Sequence, residues 1–198
     1  MTSAVPTSTS PSPRQRILEA AHDLFYAEGI RATGVDRVIE AAKVTKVTFY
    51  RQFPSKDDLV DAYLGMRHDR WTSWLRSSLE DRRARKTGGV DAIAEVLRGW
   101  WEAPSFRGCA FINAATELGP ASPRILEVYR KHKEAMEGIL LEALGKDRRG
   151  PGVGEALVVA VDGAILQAQA GVPLDRVEAA LRRLLESCSG GRRASRKT

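Results

Sequence analysis

The stretch KVTKVTFYRQFPSK, from Lys43 to Lys56, holds the cations Lys43, Lys46, Arg51 and Lys56 and no acidic side chain. Between them stand the hydroxyls of Thr45 and Thr48, the phenol of Tyr50, and two rings, Phe49 and Phe53, four positions apart. On a helix that spacing gives Phe49 and Phe53 a common inner face and leaves Lys46, Thr48, Tyr50 and Arg51 on or near the outer side. Cations and hydroxyls on one side of a short helix match phosphate oxygens and base edges, the groups met when a helix enters the major groove of duplex DNA. Thr45 at the N-cap position, with the free amides of the first turn behind it, favours a phosphate there as well.

Other chemistries find no such grouping. His22, His68 and His132 are scattered, with no carboxylate or nucleophile at a telling spacing, and read as surface or helix-packing residues. Cys109 and Cys188 lack the spacing of a zinc site or of a disulfide framework. Neither a glycine loop for phosphates nor a catalytic triad order occurs. The sequence therefore predicts no catalytic residue, no metal and no cofactor, and leaves an α-helical enzyme or small-molecule carrier as the remote alternative. Cys109, close to Arg107, reads either as inert packing or, if its thiolate is stabilised, as a redox or electrophile sensor.

The 198 residues, with 43% hydrophobic composition, suffice for a sizeable core. A formal net charge of +6 suits an anionic partner. Residues 1 to 60 nevertheless hold eight basic against seven acidic side chains, so the cationic character of the quoted stretch is local. The clusters Arg82-Arg83-Arg85-Lys86 and Arg192-Arg193-Arg196-Lys197 read as solvated loop and tail. The opening MTSAVPTSTSPSP has neither the basic start nor the apolar run of a secretory signal, and the strongest apolar run, Ala156 to Val161, is too short to cross a bilayer. With so few cysteines, a cytoplasmic protein with no membrane partner is expected.

The elements that must position the cationic helix follow from local signals. Residues 1–12 are rich in Ser, Thr and Pro and read as a disordered arm. Ser12, Pro13 and Gln15 form an N-cap, a first-turn proline and a capping-box partner, followed by Ile17, Leu18, Ala21, Leu24 and Phe25 at helical spacing up to Gly29. Val35, Val38, Ile39 and Ala42 mark a second short helix, and Thr45 caps a third. Pro54 ends it, and Ser55 with Asp58 opens a long fourth helix to about residue 81. Beyond Gly88-Gly89, helical patterns at about 90–103, 105–118, 123–144, 154–170 and 174–187 complete an all-α chain of about nine helices. Residues 13–56 are expected as one domain, 57–188 as a second, and 189–198 as a disordered basic tail.

From Arg14 to about Lys56, and more specifically in GVDRVIEAAKVTKVTFYRQFPSKDDLVDAY (Gly34 to Tyr63), the sequence resembles the DNA-binding region of the TetR/AcrR family of bacterial transcriptional regulators. Thr48, Phe49, Tyr50 and Phe53, then Ser55, Lys56 and Leu59, carry the resemblance. It implies a three-helix helix-turn-helix domain whose third helix reads the major groove. Lys46, Thr48 and Arg51 then contact bases or phosphates, Tyr50 and Lys56 touch the backbone, and Arg37 adds a contact from the preceding helix. Lys43 departs from the glycine often found at that turn, where a left-handed backbone is needed and a side chain costs about 1 kcal/mol.

The resemblance further implies that the long fourth helix joins this domain to a helical effector-binding and dimerisation domain. The expected function is a repressor binding a near-palindromic double-stranded operator as a homodimer and released by an unidentified small-molecule effector. A DNA-binding dimer without an effector, or an activator, is the alternative. Pro104 to Gly119 looks like a stretch recurrent in one branch of the family; on one helix Phe106, Cys109, Asn113 and Glu117 would share a face. Together with Trp74, Trp100, Trp101, Phe111, Tyr129 and Met136 they are candidates to line a pocket, or simply form core. Leu157, Val161, Ala164, Ile165 and Ala168 form one apolar stripe, and Val177, Leu181 and Leu184 belong to another; these serve as dimer contacts or as monomer core.

Overall fold

Serine and threonine caps start three of the four helices of the N-terminal part where the sequence places them. In the computed structural model, which describes residues 11–145 and 150–190, Ser12 Oγ accepts from the Gln15 amide at 3.2 Å while Gln15 Oε1 accepts from the Ser12 amide at 2.8 Å. This reciprocal cap opens α1 (Pro13–Glu28), which ends at Gly29 with φ of 94°. Next comes α2 (Val35–Ala42), and Thr45 caps α3 (Lys46–Gln52) by accepting from the Thr48 amide at 3.2 Å. Ser55 Oγ accepts from the Asp58 amide at 3.0 Å at the head of α4 (Lys56–Ala84), whose 29 residues run three positions past the expected end.

The chain divides into two compact units after Gly65, inside α4. In the first unit, Ile17, Ala21 and Phe25 of α1, Val38 and Ala42 of α2, and Phe49 of α3 converge with Phe53 and with Leu59, Val60, Tyr63 and Leu64 of α4, all buried. The Phe25 and Tyr63 rings meet edge-on at 5.4 Å, and Arg16 Nε donates to the Ala42 carbonyl at 3.3 Å, tying α1 to the end of α2.

The second unit holds the rest of α4 with α5 (Gly89–Trp101), α6 (Ala110–Leu118), a short 3-10 turn (Gly119–Ala121), α7 (Pro123–Leu144), α8 (Val153–Gln169) and α9 (Leu174–Ser189). Its core includes Leu75, Ile93, Leu97, Met136, Ile139, Leu140, Leu157, Val161, Ile165, Leu181 and Leu185. At the rim, Arg98 of α5 pairs with Glu102, Asp175 and Glu178, and Arg182 of α9 pairs with Asp91 and Glu178, linking α5 to α9. Among the described residues there are nine α-helices and no strand, as the sequence predicts. None of them is long and apolar enough to cross a membrane.

One expected helix is shorter. The pattern from 105 becomes helical only at Ala110, because Gly108 takes φ of +81° and a Cβ there would lie 1.9 Å from Gln169 Oε1 of α8. Phe106 therefore precedes α6 and Cys109 caps it, so they share no helical face with Asn113 and Glu117. Residues 1–10 of the expected arm and 191–198 of the expected tail lie outside the described residues.

Lys43 occupies the left-handed region, with φ of 52° and ψ of 51°. Glycine takes that conformation without the Cβ penalty, so Lys43→Gly is expected to raise unfolding free energy by up to about 1 kcal/mol in urea titration. A loss of stability would show that the lysine side chain contributes more than the backbone costs.

Candidate functional site

On α3, Phe49 (0% exposed) and Phe53 face the core. At about 100° per residue, the direction opposite these rings is occupied by Val47 and Arg51, one turn apart, with Tyr50 on one side and Thr48 on the other; Lys46 falls near the azimuth of Phe53 and is exposed because it opens the helix. Val47 is 79% exposed, more than any other large apolar residue among those described, and Tyr50 is 44% exposed with its ring edge-on to Phe49 at 5.2 Å. Thr45 and Thr48 share a hydroxyl hydrogen bond at 2.9 Å and define the N-terminal edge of this face. Lys46 Nζ lies 3.5 Å from Asp36 Oδ1. Lys43 and Arg51 are exposed and find no acidic partner among the described residues.

Three of the expected contact residues are engaged within the chain, Lys46 by its pairing with Asp36. Arg37 sets both terminal nitrogens on the Glu28 carboxylate, and this hydrogen bonding holds Glu28 below its ordinary value. Lys56 Nζ donates to the Ile30 carbonyl at 2.6 Å, which leaves two of its N–H groups for other acceptors. The outward face of α3 thus unites Arg51 with Val47, flanked by Tyr50 and Thr48; Val47 was absent from the expected contact residues.

In the second unit, Trp71 of α4, Trp100 of α5 and the start of α6 gather around His132 of α7. The buried His132 ring stacks on Phe111 at 3.6 Å with an 8° tilt and meets Trp71 edge-on at 5.1 Å. Its Nδ1 lies 3.2 Å from Nδ1 of His68. Burial, with the nearby charges of Lys133, His68 and Arg67, pushes His132 down to about 2, so the ring is neutral at any ordinary pH. Trp100 stands 5.8 Å from Trp71, 6.0 Å from Trp74 and 5.1 Å from Phe106. Arg67, Trp71, Trp100, Cys109, Phe111 and His132 border a cavity of about 10 Å³, room for one water at most. The Trp71 indole N–H is buried and without a hydrogen-bond acceptor. Trp100 also borders, with Trp74, an open groove of about 350 Å³ whose rim carries the Arg82–Glu95 pair at 3.0 Å.

The structure therefore brings Trp74, Trp100, Phe106, Cys109 and Phe111 together. Of the other expected pocket residues, Tyr129 is joined to Cys109 through Lys133, and Trp101, Met136, Asn113 and Glu117 are engaged elsewhere. Trp101 is buried on a different face from Trp100, and Met136 is core. Asn113 donates to the Arg107 carbonyl at 3.1 Å, bracing the start of α6, and Glu117 lies near its other end. Tyr129 donates to Asp162 at 3.4 Å, and burial raises its hydroxyl above the ordinary value. Asp162 also holds the buried Lys133 ammonium, which sits 3.7 Å from Cys109 Sγ. Trp71, His68 and His132 were absent from the expected set. Trp71 and Trp74, three apart on α4, carried a usable signal; His132, distant in sequence, carried none.

The apolar stripes of α8 and α9 are largely used inside the protomer. Leu157, Val161, Ala164, Ile165, Val177 and Leu181 are buried, and Ala168 is half-buried. What remains outward is Val159 (72% exposed) and Leu166 (47%) on α8, with Gly163 between them, and Leu184 (50%) on α9. The outward stripe at 159, 163 and 166 is a second helical face, which a helix apolar on two sides does not distinguish by sequence alone.

A short helix turned outward after a tight left-handed turn, within a compact helical unit and followed by a larger helical unit, defines a helix-turn-helix DNA-binding protein. Residues 17–63 match the family model of bacterial regulatory proteins, tetR family. A solved TetR-family transcriptional regulator from Streptomyces coelicolor is 32% identical, with 90% of this chain and 94% of that one covered at a TM-score of 0.73. Similar relatives include the HTH-type transcriptional repressor ComR of Escherichia coli (strain K12), 25% identical over 83% of each chain. Another is the HTH-type transcriptional repressor DhaR of Mycobacterium sp. (strain GP1), 28% identical over 78% of this chain and 81% of its own. The chain belongs to the TetR family of bacterial transcriptional regulators.

The neutral, buried His132 couples stability to pH. Unfolded, its ring takes a proton near the ordinary value of 6.5, whereas the folded ring resists protonation down to about 2. Stability contributed by the neutral ring is therefore complete above 6.5 and is lost as pH falls below it, by up to about 1.4 kcal/mol per pH unit for this one proton. Thermal unfolding between about pH 7 and pH 4 is expected to show a shallower decline for His132→Phe than for the parent. Equal slopes would contradict the assignment.

Proposed function

We propose that the protein is a transcriptional repressor that binds a near-palindromic operator as a homodimer and is released by a small molecule. The observation that carries this reading is the α3 face, where buried Phe49 and Phe53 direct Val47 and Arg51 outward with Tyr50 beside them, and Arg51 has no acidic partner among the described residues. In this reading Arg51 reaches a base edge, and Lys46, Tyr50 and Lys56 meet phosphates. Thr45 and Thr48 add hydroxyls at the N-terminal edge of α3, and Arg37 contributes once it exchanges Glu28 for a phosphate. That ComR and DhaR are named repressors supports the sign of regulation.

Two copies join through the outward stripe of Val159, Gly163 and Leu166 with Leu184, presenting two reading helices to half-sites separated by about 34 Å or a multiple of it. The effector enters the groove bordered by Trp74 and Trp100, whose size falls within the range of small-molecule sites. Because α4 gives Leu59 and Tyr63 to one unit's core and Trp71 and Leu75 to the other's, a ligand that repacks the tryptophans acts on a helix the reading unit also uses. A coupling of about 1–3 kcal/mol would lower operator affinity roughly 5- to 150-fold.

Selection of bound duplexes from a random pool tests the reading and is expected to return a two-fold symmetric consensus. On that operator, Arg51→Ala should weaken binding roughly 5- to 150-fold in a gel shift at fixed salt, as loss of one base contact does. Unchanged affinity would reject the assigned reading helix. The double variant Val159→Glu with Leu166→Glu should run as a monomer in light scattering, keep its helical circular dichroism and lose operator affinity. A dimer that binds as before would place the interface elsewhere.

A further inference from the structure

We propose that Val47 reads the C5-methyl group of a thymine in the operator, about two base-pair steps from a guanine read by Arg51. The inference rests on the DNA-reading function proposed above and adds a specificity determinant to it. Val47 is 79% exposed, so its side chain contributes almost nothing to the core of its own unit. A β-branched residue is also a poorer helix former than alanine, and α3 has only seven residues in which to absorb that cost. The burial of Phe49 and Phe53 fixes the azimuth of the helix, so Val47 cannot turn inward without exposing both rings.

The chemistry that suits this position is narrow. Base edges in the major groove offer hydrogen-bond donors and acceptors and a single apolar group, the thymine methyl. A valine carried into the groove beside Arg51 has no hydrogen bond to offer and therefore complements that methyl. Val47 and Arg51 lie one turn apart on the outermost line of α3, a rise of about 6 Å, while successive base pairs are spaced about 3.4 Å along the duplex. When Arg51 sets its fork on guanine O6 and N7, the methyl met by Val47 belongs to a thymine about two steps away.

The test uses the full chain and the operator obtained by selection, with each thymine replaced singly by uracil, which keeps pairing and removes only the methyl. For the parent, one thymine per half-site, within about two steps of a guanine, should lose roughly 3- to 5-fold in affinity on replacement. Val47→Ala should bind the thymine operator more weakly by the same factor and should not distinguish thymine from uracil at that position. The exposure of Val47 means this variant retains its fold, checked by its unfolding midpoint. If the parent shows no uracil effect, if Val47→Ala shows an undiminished one, or if no thymine lies near a guanine in the consensus, the assignment is overturned. Arg51→Ala separates the two levels. Weakened binding by that variant alongside a failed uracil test removes Val47 alone, whereas parent-like binding by Arg51→Ala removes the reading function itself.

Discussion

The burial of two phenylalanine rings is the constraint on which the reading face depends. A seven-residue helix has too few hydrogen bonds to stand alone, since isolated helices shorter than about 12–15 residues are marginal in water. Helix α3 exists because Phe49 and Phe53 are sunk into the core built by α1, α2 and the first turns of α4. That burial also sets direction. With both rings inward, Val47 and Arg51 must point out, and Tyr50 and Thr48 must flank them. The left-handed backbone at Lys43 supplies the sharp turn that lets α2 and α3 share one core.

Charge alone would not make this unit a DNA reader. Its basic and acidic side chains nearly balance, and Arg37 is held by Glu28 within the chain. Recognition therefore depends on local placement, and in the proposed dimer two copies together supply affinity that one near-neutral head lacks. The second unit has a different economy, in which polar groups are sealed among rings. His132 is kept neutral by burial, the Trp71 indole is left without an acceptor, and Lys133 is neutralised by Asp162. A small change in how these rings pack alters groups that are expensive to leave unsatisfied.

Much of the fold was legible because its signals are local. Ser12 with Gln15, Thr45, and Ser55 with Asp58 start helices by contacts three residues long, and the structure shows each cap where the sequence placed it. The start of α6 was misjudged because its cause is remote: Gly108 turns the chain against Gln169, and no pattern near residue 105 encodes that neighbour. Apolar residues gave the most ambiguous reading. Leu157 and Val161 form an obvious stripe and are buried in the protomer, while Val159 and Leu166 on the other side of α8 are exposed. The same ambiguity hid Val47, since an isolated valine carries no mark of facing solvent. His132 was opaque for another reason, because its partners come from α4 and α6 and meet it only in three dimensions.

Methylation interference on the selected operator reports which groove α3 enters, because dimethyl sulfate marks guanine N7 in the major groove and adenine N3 in the minor groove. Methylated N7 of at least one guanine in each half-site is expected to exclude the duplex from the bound fraction, and Arg51→Ala is expected no longer to discriminate against it. Interference confined to adenine N3, with guanine N7 methylation tolerated throughout, would place the protein in the minor groove and contradict the assigned role of α3.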